Sequence, residues 1–438
     1  MTDRITSYII ALVTILTITT FGQDIDKLQE EAYKLYNAGN PDSAEVKLKI
    51  VVDADDTYHP SHYLLSKIYI DKYDFENSRK HLTKAIEADK TNQSYRDEFE
   101  RINSVASAFG LAKRTFDNGD NYGSIDAFQK LTEEYKEFAP KALYFMGIAA
   151  SREDEISEAA GYLQKALKLN PNYYDAQQYL DVLASKKYND ANQLVRRGDY
   201  EEAKEMYKSV LELSPNYFQG YFQLGYVATK QGDIAEAIRY YAKTVELQPY
   251  FSKGWFALAL AYQKIDEIDL ALDALSSATD VDPTYAKAYA QKGNIYLSEG
   301  DLDGAEQEYN NSIQANPSYA IAYQNLGKVL IANQEYEDAI QTLSKATDID
   351  EQSFKAWAML AQAYNTLGRC YDAKDAANEA LDIKRKYASA LFDLGLAEKC
   401  LGNETLALQA FNKARRDRNW RRLAEIEIDK INNPEKYE

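Results

Sequence analysis

FQGYFQLGYVATKQGDIAEAIRYYAKTVELQPYF, residues Phe218 to Phe251, contains two helices and the break between them. Tyr221, Leu224, Gly225 and Ala228 recur at helical spacing, Gly232-Asp233 interrupts the run, and Ala237, Tyr241 and Thr244 resume it until Pro249 stops it. The stretch predicts a helical hairpin. Gly225 and Ala237 are small where the two helices must cross closely. One such hairpin leaves an apolar face bare, so it must stack on copies of itself.

The copies follow at a period of 34 residues. The position of Ala237 is alanine in seven successive units, at Ala203, Ala237, Ala271, Ala305, Ala339, Ala373 and Ala407. The position of Gly225 reads Ala191, Gly225, Ala259, Gly293, Gly327, Ala361 and Gly395. Aromatics fill the first-helix anchor at Tyr221, Trp255, Tyr289, Tyr323 and Trp357, and Pro215, Pro249, Pro283 and Pro317 close four units. This in-phase pattern resembles the tetratricopeptide repeat family. The resemblance implies an all-α fold, a right-handed α-solenoid of paired helices with a concave and a convex face.

Composition agrees with a soluble helical chain. Nine prolines in 438 residues and 45% apolar content leave no room for a large disordered tail. Because each hairpin touches only its neighbours, a stack of about 400 residues can be continuous. The net charge of −18 argues against nucleic acid or anionic lipid as the partner of the bulk surface.

Tyr8 to Phe21 is an uncharged run of 14 residues, preceded by Arg4 and followed by Gly22-Gln23-Asp24. Its length and order are those of a secretory signal, cleaved after Gly22. The alternative is an uncleaved anchor, which would be the chain's one association with membrane, although a spanning helix needs about 20 apolar residues. The expected location is outside the cytoplasm, periplasmic or secreted.

Eleven units start at residues 25, 59, 105, 140, 184, 218, 252, 286, 320, 354 and 388. The organisation reads as a signal at 1–22, units one and two at 24–92, a long helix with units three and four at 93–173, a second long helix with units five to eleven at 174–421, and a capping helix and tail at 422–438. The insertions Gln93 to Ser104 and Tyr174 to Leu183 lack glycine and proline and run into the next first helix. Phe99, Ile102, Ala106, Phe109 and Phe116 continue one apolar stripe across the first junction; Leu180, Leu183, Ala191 and Leu194 continue one across the second. Two splint helices of about 24 residues are expected, with a separately packed short helix as the alternative. Arg422 to Asn432 reads as the cap, with Leu423, Ile426, Ile428 and Ile431 facing the last repeat and Glu425, Glu427, Asp429 and Lys430 facing water.

Motifs for catalysis, metals or cofactors are missing from the sequence. His59 and His62 are the sole local histidine pair, with no acidic or cysteine cluster beside them, and read as surface or capping residues. Asp301 and Asp303 lack the rest of a calcium loop, and no phosphate loop, dinucleotide motif or nucleophile–base pairing occurs. A non-enzymatic role with no cofactor is expected.

By resemblance to the family, repeat positions 2, 5, 9, 12 and 13 of each first helix line the groove. In the seven C-terminal units these positions include Arg196, Lys230, Lys253, Lys264, Lys287, Lys328, Lys355 and Lys399, with Tyr188, Phe222, Tyr226, Phe256 and Phe392 between them and not one acid. Segregation of charge in a strongly acidic chain points to a basic groove. Asn294, Asn325 and Lys355 match three of the five places of the family's carboxylate clamp, with Ala290 and Met359 at the outer two. Asn192, Gln223 and Lys253 form a second partial set, flanked by Tyr188 and Ala257. The position of Asn325 carries an amide also at Asn189, Gln223 and Gln291, like the asparagine ladder by which a glycosyltransferase of this family holds peptide backbone. The alternative is that these amides are only solvated surface residues.

Cys370 and Cys400 fall at neighbouring ends of one helix pair. An exported protein could oxidise them to a disulfide, or they remain two thiols. The expectation for the whole is a scaffold outside the cytoplasm that binds an acidic or C-terminal segment of another protein. An envelope-assembly subunit working through its convex and N-terminal surfaces, and a recruiting partner of a separate enzyme, are the alternatives.

Overall fold

The computed structural model describes residues 24–437, so the export signal expected at 1–22 lies outside the described residues. Within them the chain is helical, with no strand. The chain divides after Leu183 into two compact units.

The first unit opens with α1, helical over residues 24–37, and α2 (Pro41–Ala54). There follow α3 (His59–Asp71), α4 (Phe75–Ala88), α5 (Gln93–Asp117), α6 (Asn121–Glu134), α7 (Ala139–Arg152) and α8 (Ile156–Leu169). The long helix α9 (Tyr174–Arg197) contains the division between the units. The second unit continues with α10 (Tyr200–Leu213), α11 (Phe218–Gln231), α12 (Ile234–Leu247), α13 (Ser252–Lys264) and α14 (Ile268–Val281). It ends with α15 (Ala286–Glu299), α16 (Leu302–Ala315), α17 (Ala320–Ala332), α18 (Tyr336–Ile349), α19 (Phe354–Thr366), α20 (Cys370–Ile383), α21 (Ala388–Cys400), α22 (Glu404–Ala414) and the unpaired α23 (Arg421–Asn432). Within each unit consecutive helices pack as hairpins, the architecture of an α-solenoid.

The repeat phase decides burial. All seven alanines in the position of Ala237 are fully buried. A Cβ at Gly225 would stand 2.6 Å from the Tyr241 ring, and one at Gly293 would stand 2.8 Å from Tyr309, so these glycines make room for the large residue of the partner helix. The anchor aromatics clamp the preceding loop: the Trp255 indole donates to the Pro249 carbonyl at 2.8 Å, Trp357 to that of Glu351 at 3.1 Å, and the Tyr221 hydroxyl to that of Pro215 at 3.2 Å. Between paired helices the chain turns through a left-handed residue, glycine at Gly232 (φ 83°) and Gly300 (φ 82°) but Asp266 and Gln334 in the equivalent places.

The splint helices form as the uninterrupted apolar runs predict, with 25 residues in α5 and 24 in α9. In α9, Leu180, Leu183, Ala191 and Leu194 are all buried. The stripe of α5 is shifted: Tyr95, Ile102, Val105, Ala112 and Phe116 are buried, whereas Phe99, Ala106 and Phe109 are only half-buried. Between α6 and α7, Lys136–Phe138 forms a 3-10 turn that buries Phe138.

Two sequence expectations need correction. His62 is a core residue, 1% exposed, and not a surface or capping one; its Nδ1 lies 2.9 Å from Nδ1 of His81 on α4. Tyr69 stacks on His81 with ring centroids 5.4 Å apart. In the cap, the buried residue is Ala424, while Leu423 is exposed and Glu427 turns inward. Burial alone would raise the Glu427 carboxyl, but bonds from Lys399 and Lys430 hold it below its ordinary value.

Candidate functional site

The first helices of the second unit bring the expected groove residues together in two groups. The first group lines a cavity of about 950 Å³ spanning α11, α13 and α15. Phe222, Tyr226, Lys253, Phe256, Lys264 and Gln291 all face it. Lys253 and Lys264 are exposed. Lys230 lies over the Tyr226 ring, 5.3 Å from its centroid. Asp266 and Glu299 also line the cavity, contributed by the turn after α13 and the end of α15. The groove is therefore mixed in charge rather than uniformly basic, because groove-lining residues also come from positions outside the five of the family pattern.

The second group is a row of hydrogen-bonded amides crossing four helix pairs. The Ser353 hydroxyl, at the N-terminus of α19, donates to Oε1 of Gln324 at 3.0 Å, and Gln324 donates to Oδ1 of Asn325 at 3.4 Å. Asn325 donates to Oδ1 of Asn294 at 3.1 Å, Asn294 to Oε1 of Gln291 at 3.2 Å, and Gln291 to Oε1 of Gln263 at 2.6 Å. Every bond runs in one sense along the row. Each of these four amide donors spends one N–H on its neighbour and keeps one, and Asn294 Oδ1 accepts a further bond from Tyr309 at 2.8 Å. The row is an organised donor surface, unlike a set of independently solvated amides. Gln263, Gln324 and Tyr309 are members that sequence reading missed, since only Gln291 and Asn325 share the conspicuous repeat position.

The remaining expected residues divide by their partners. Asn192 accepts from Tyr207 at 2.7 Å, repeating the Tyr309–Asn294 bond three units earlier. Gln223 donates to the Tyr188 hydroxyl at 3.4 Å, and Asn189 is exposed. Arg196, Lys287, Lys328 and Lys355 are exposed, and like Lys253 and Lys264 they form no ion pair among the described residues. Lys399 differs from this expectation: it is half-buried and paired with Glu427 of α23 at 2.7 Å, so the cap withdraws it from the groove. Cys370 and Cys400 sit with Cα atoms 6.0 Å apart, joined as a disulfide between the start of α20 and the end of α21.

Among the described residues no histidine, cysteine and acid cluster suits a metal ion, and no helix is long and apolar enough to cross a membrane.

Tetratricopeptide repeat profiles match residues 59–92, 188–250, 256–320, 296–364 and 354–387, together just over half of the chain. Among solved structures the chain is similar to MamA, at 30% identity over 37% of this chain and 94% of that one, with a TM-score of 0.35. It is similar to YrrB, described as a TPR protein with an unusual peptide-binding site, at 20% identity over 42% and 95% of the two chains and a TM-score of 0.38. The C-terminal part of a TPR repeat-containing protein from Cytophaga hutchinsonii aligns at 16% identity over 53% and 97%, with a TM-score of 0.45. No curated protein matches. Proteins built on this repeat are in general non-enzymatic scaffolds that bind other proteins or peptides. The in-phase alanines, the anchored hairpins and the matching profiles make this chain a member of the tetratricopeptide repeat family.

Proposed function

We propose that the chain is an exported scaffold whose second unit holds an extended acidic or C-terminal segment of another protein. The observation that carries the reading is the pair Lys253 and Lys264, exposed and unpaired among the described residues, at a cavity walled by Phe222 and Phe256. Carboxylates offer charge-assisted bonds to such cations, and the aromatic walls take the apolar part of a side chain. The amide row adds spare N–H groups from Gln291, Asn294 and Asn325, which suit main-chain carbonyls or a terminal carboxylate. Asp266 and Glu299 bound the basic zone, so a ligand of alternating character fits better than a run of acids alone. Export rests on the uncharged run Tyr8 to Phe21.

A labelled peptide rich in Glu and ending in a free carboxylate tests the groove against its amide-capped and Gln-substituted forms. Lys253→Ala with Lys264→Ala should weaken binding by roughly 2–4 kcal/mol without lowering the melting temperature, since each charge-assisted bond contributes about 1.5–3 kcal/mol. Binding should also weaken with salt. Equal binding of the charged and Gln-substituted peptides would remove this reading. Terminal sequencing of the native protein, expected to start within a residue or two of Gln23, tests export.

A further inference from the structure

A second cavity lies at the C-terminal end of this unit, bounded by α19, α21 and α23. Its volume is about 470 Å³, within the range of roughly 300–1,000 Å³ typical of ligand sites. Asn365, Thr366, Phe392, Asp393, Trp420 and Leu423 line it. Three acids are almost fully buried among the described residues: Glu308, Asp393 and Glu398. Glu308 is neutralised by Lys292 at 2.7 Å and Glu398 by Lys374 at 3.0 Å. Asp393, 3% exposed, has no cation among the described residues, and its carboxylate accepts a long 3.4 Å bond from Ser389. The nearby Asn365 amide donates to the Asp393 main-chain carbonyl at 2.9 Å and lies close enough to the carboxyl to favour its charged form, but it carries no charge.

Asp393 also occupies a particular place in the repeat. It stands two repeats after Asn325, in the position that carries the amides Gln223 and Gln291. Four of the six preceding units present an amide there, with Ala257 and Met359 at the other two, and the last unit presents an acid. The cavity wall beside it is aromatic, with Phe392 and Trp420 ring centroids 5.1 Å apart. A buried carboxylate lacking a counter-ion, beside two ring faces and open space, is the complement of an organic cation.

We propose that this cavity receives an alkylammonium or guanidinium group, presented as a lysine or arginine side chain of a bound protein segment, with Asp393 as its counter-ion and Phe392 and Trp420 against its stem. The site stands apart from the lysine-lined cavity and does not depend on what binds there. Burial raises the Asp393 carboxyl to about 7, with Asn365 and Ser389 offsetting part of the effect, so near neutrality the empty site is only partly ionised. A bound cation would complete the ionisation and release a proton.

Saturation-transfer NMR on the full chain tests the assignment, with agmatine and butylammonium as probes, butanol as the neutral control, and the end-blocked pentapeptides Gly-Gly-Arg-Gly-Gly and Gly-Gly-Lys-Gly-Gly as the protein-like arm. We expect saturable binding of the cations but not of butanol, tightening up to about tenfold from pH 6 to pH 8 as the carboxylate ionises. Asp393→Asn should abolish it without unfolding the protein, its melting temperature matching that of the unaltered chain near pH 4 and exceeding it at higher pH. Lys253→Ala with Lys264→Ala should leave it intact, which separates this result from failure of the acidic-segment reading. Equal binding by Asp393→Asn, or agmatine no better than butanol, overturns the site. Agmatine binding with neither peptide bound would overturn the protein-segment ligand in favour of a free polyamine.

Discussion

The hydroxyl of Tyr309 donates to Oδ1 of Asn294 at 2.8 Å, and three repeats earlier Tyr207 does the same to Asn192 at 2.7 Å. Both tyrosine rings are fully buried on the second helix of their hairpin, while both asparagines are on the first. The bond fixes the Asn294 carbonyl, and with it the sense of the amide row toward Gln291. Tyr309→Phe keeps the ring that packs over Gly293 but removes the donor. The expected cost is about 0.5–1.5 kcal/mol in urea denaturation, with a larger proportional loss in binding of a groove ligand if the row presents its donors in concert.

Gln334 takes the left-handed turn conformation (φ 66°) that glycine takes at Gly300 and Gly368. A side chain there is strained by about 1–2 kcal/mol, partly offset by the greater freedom glycine has in the unfolded chain. Gln334→Gly should therefore stabilise the protein by about 0.5–1 kcal/mol, read as a higher urea midpoint at constant slope. Asp266 has the same strain (φ 63°) but lines the lysine cavity, so Asp266→Gly should gain stability and alter ligand preference together.

Much of the fold was legible because repeat phase fixes where each Cα sits, and that alone decides burial of Ala237 and its counterparts and the need for glycine at Gly225. The splint helices were legible as uninterrupted helical sequence. Side-chain partnership was not. His62 and His81 are 19 residues apart and meet only through the crossing of α3 and α4. Lys399 occupies a groove position by phase, but the cap's rotation presents Glu427 to it. Asp393 aligns with Asn325 in the period but stands outside the five positions that line the groove, and its burial depends on the last hairpin and the cap. The direction of the amide row depends on rotamers on adjacent repeats, which no single unit specifies.

The histidine pair makes the first unit acid-sensitive. Burial lowers His81 to about 4, with the neighbouring His62 and Lys80, Lys84 and Lys49 acting in the same direction, and burial lowers His62 as well. In the unfolded chain a histidine titrates near 6.5, so between pH 6.5 and about 4 the unfolded state binds more protons. The stability that neutral His81 contributes is complete above pH 6.5 and is lost as pH falls through that window, by about 1–2 kcal/mol after allowance for its partial exposure. Melting temperature followed from pH 7.5 to 4.5 should fall less steeply in His81→Gln than in the unaltered protein.

Asp393 acts with the opposite sign. Its carboxyl is raised to about 7 from an ordinary value of 3.8, so between these values the folded state binds more protons and stability declines as pH rises. Asp393→Asn mimics the protonated form at every pH. The variant should match the unaltered protein near pH 4 and exceed it by about 2–4 kcal/mol at pH 8, measured by urea denaturation across the range. A constant offset between the two proteins would mean that Asp393 does not titrate in this window.

The Cys370–Cys400 disulfide ties α20 to the end of α21 and closes a loop across 30 residues. On the chain-entropy account, a loop of that length restricts the unfolded state by about 3–4 kcal/mol. The two ends are already held together by hairpin packing, since Ala373, Ala376 and Ala377 are buried on α20 and Ala397 on α21, so reduction should loosen the last hairpins without unfolding the unit. Alkylation without reductant should leave both cysteines unlabelled in the native protein. Cys370→Ala with Cys400→Ala should lower the melting temperature, and reductant should lower that of the unaltered protein by the same amount while leaving the variant unchanged. Full labelling without reductant, or a variant as stable as the parent, would show that packing alone holds these helix ends together.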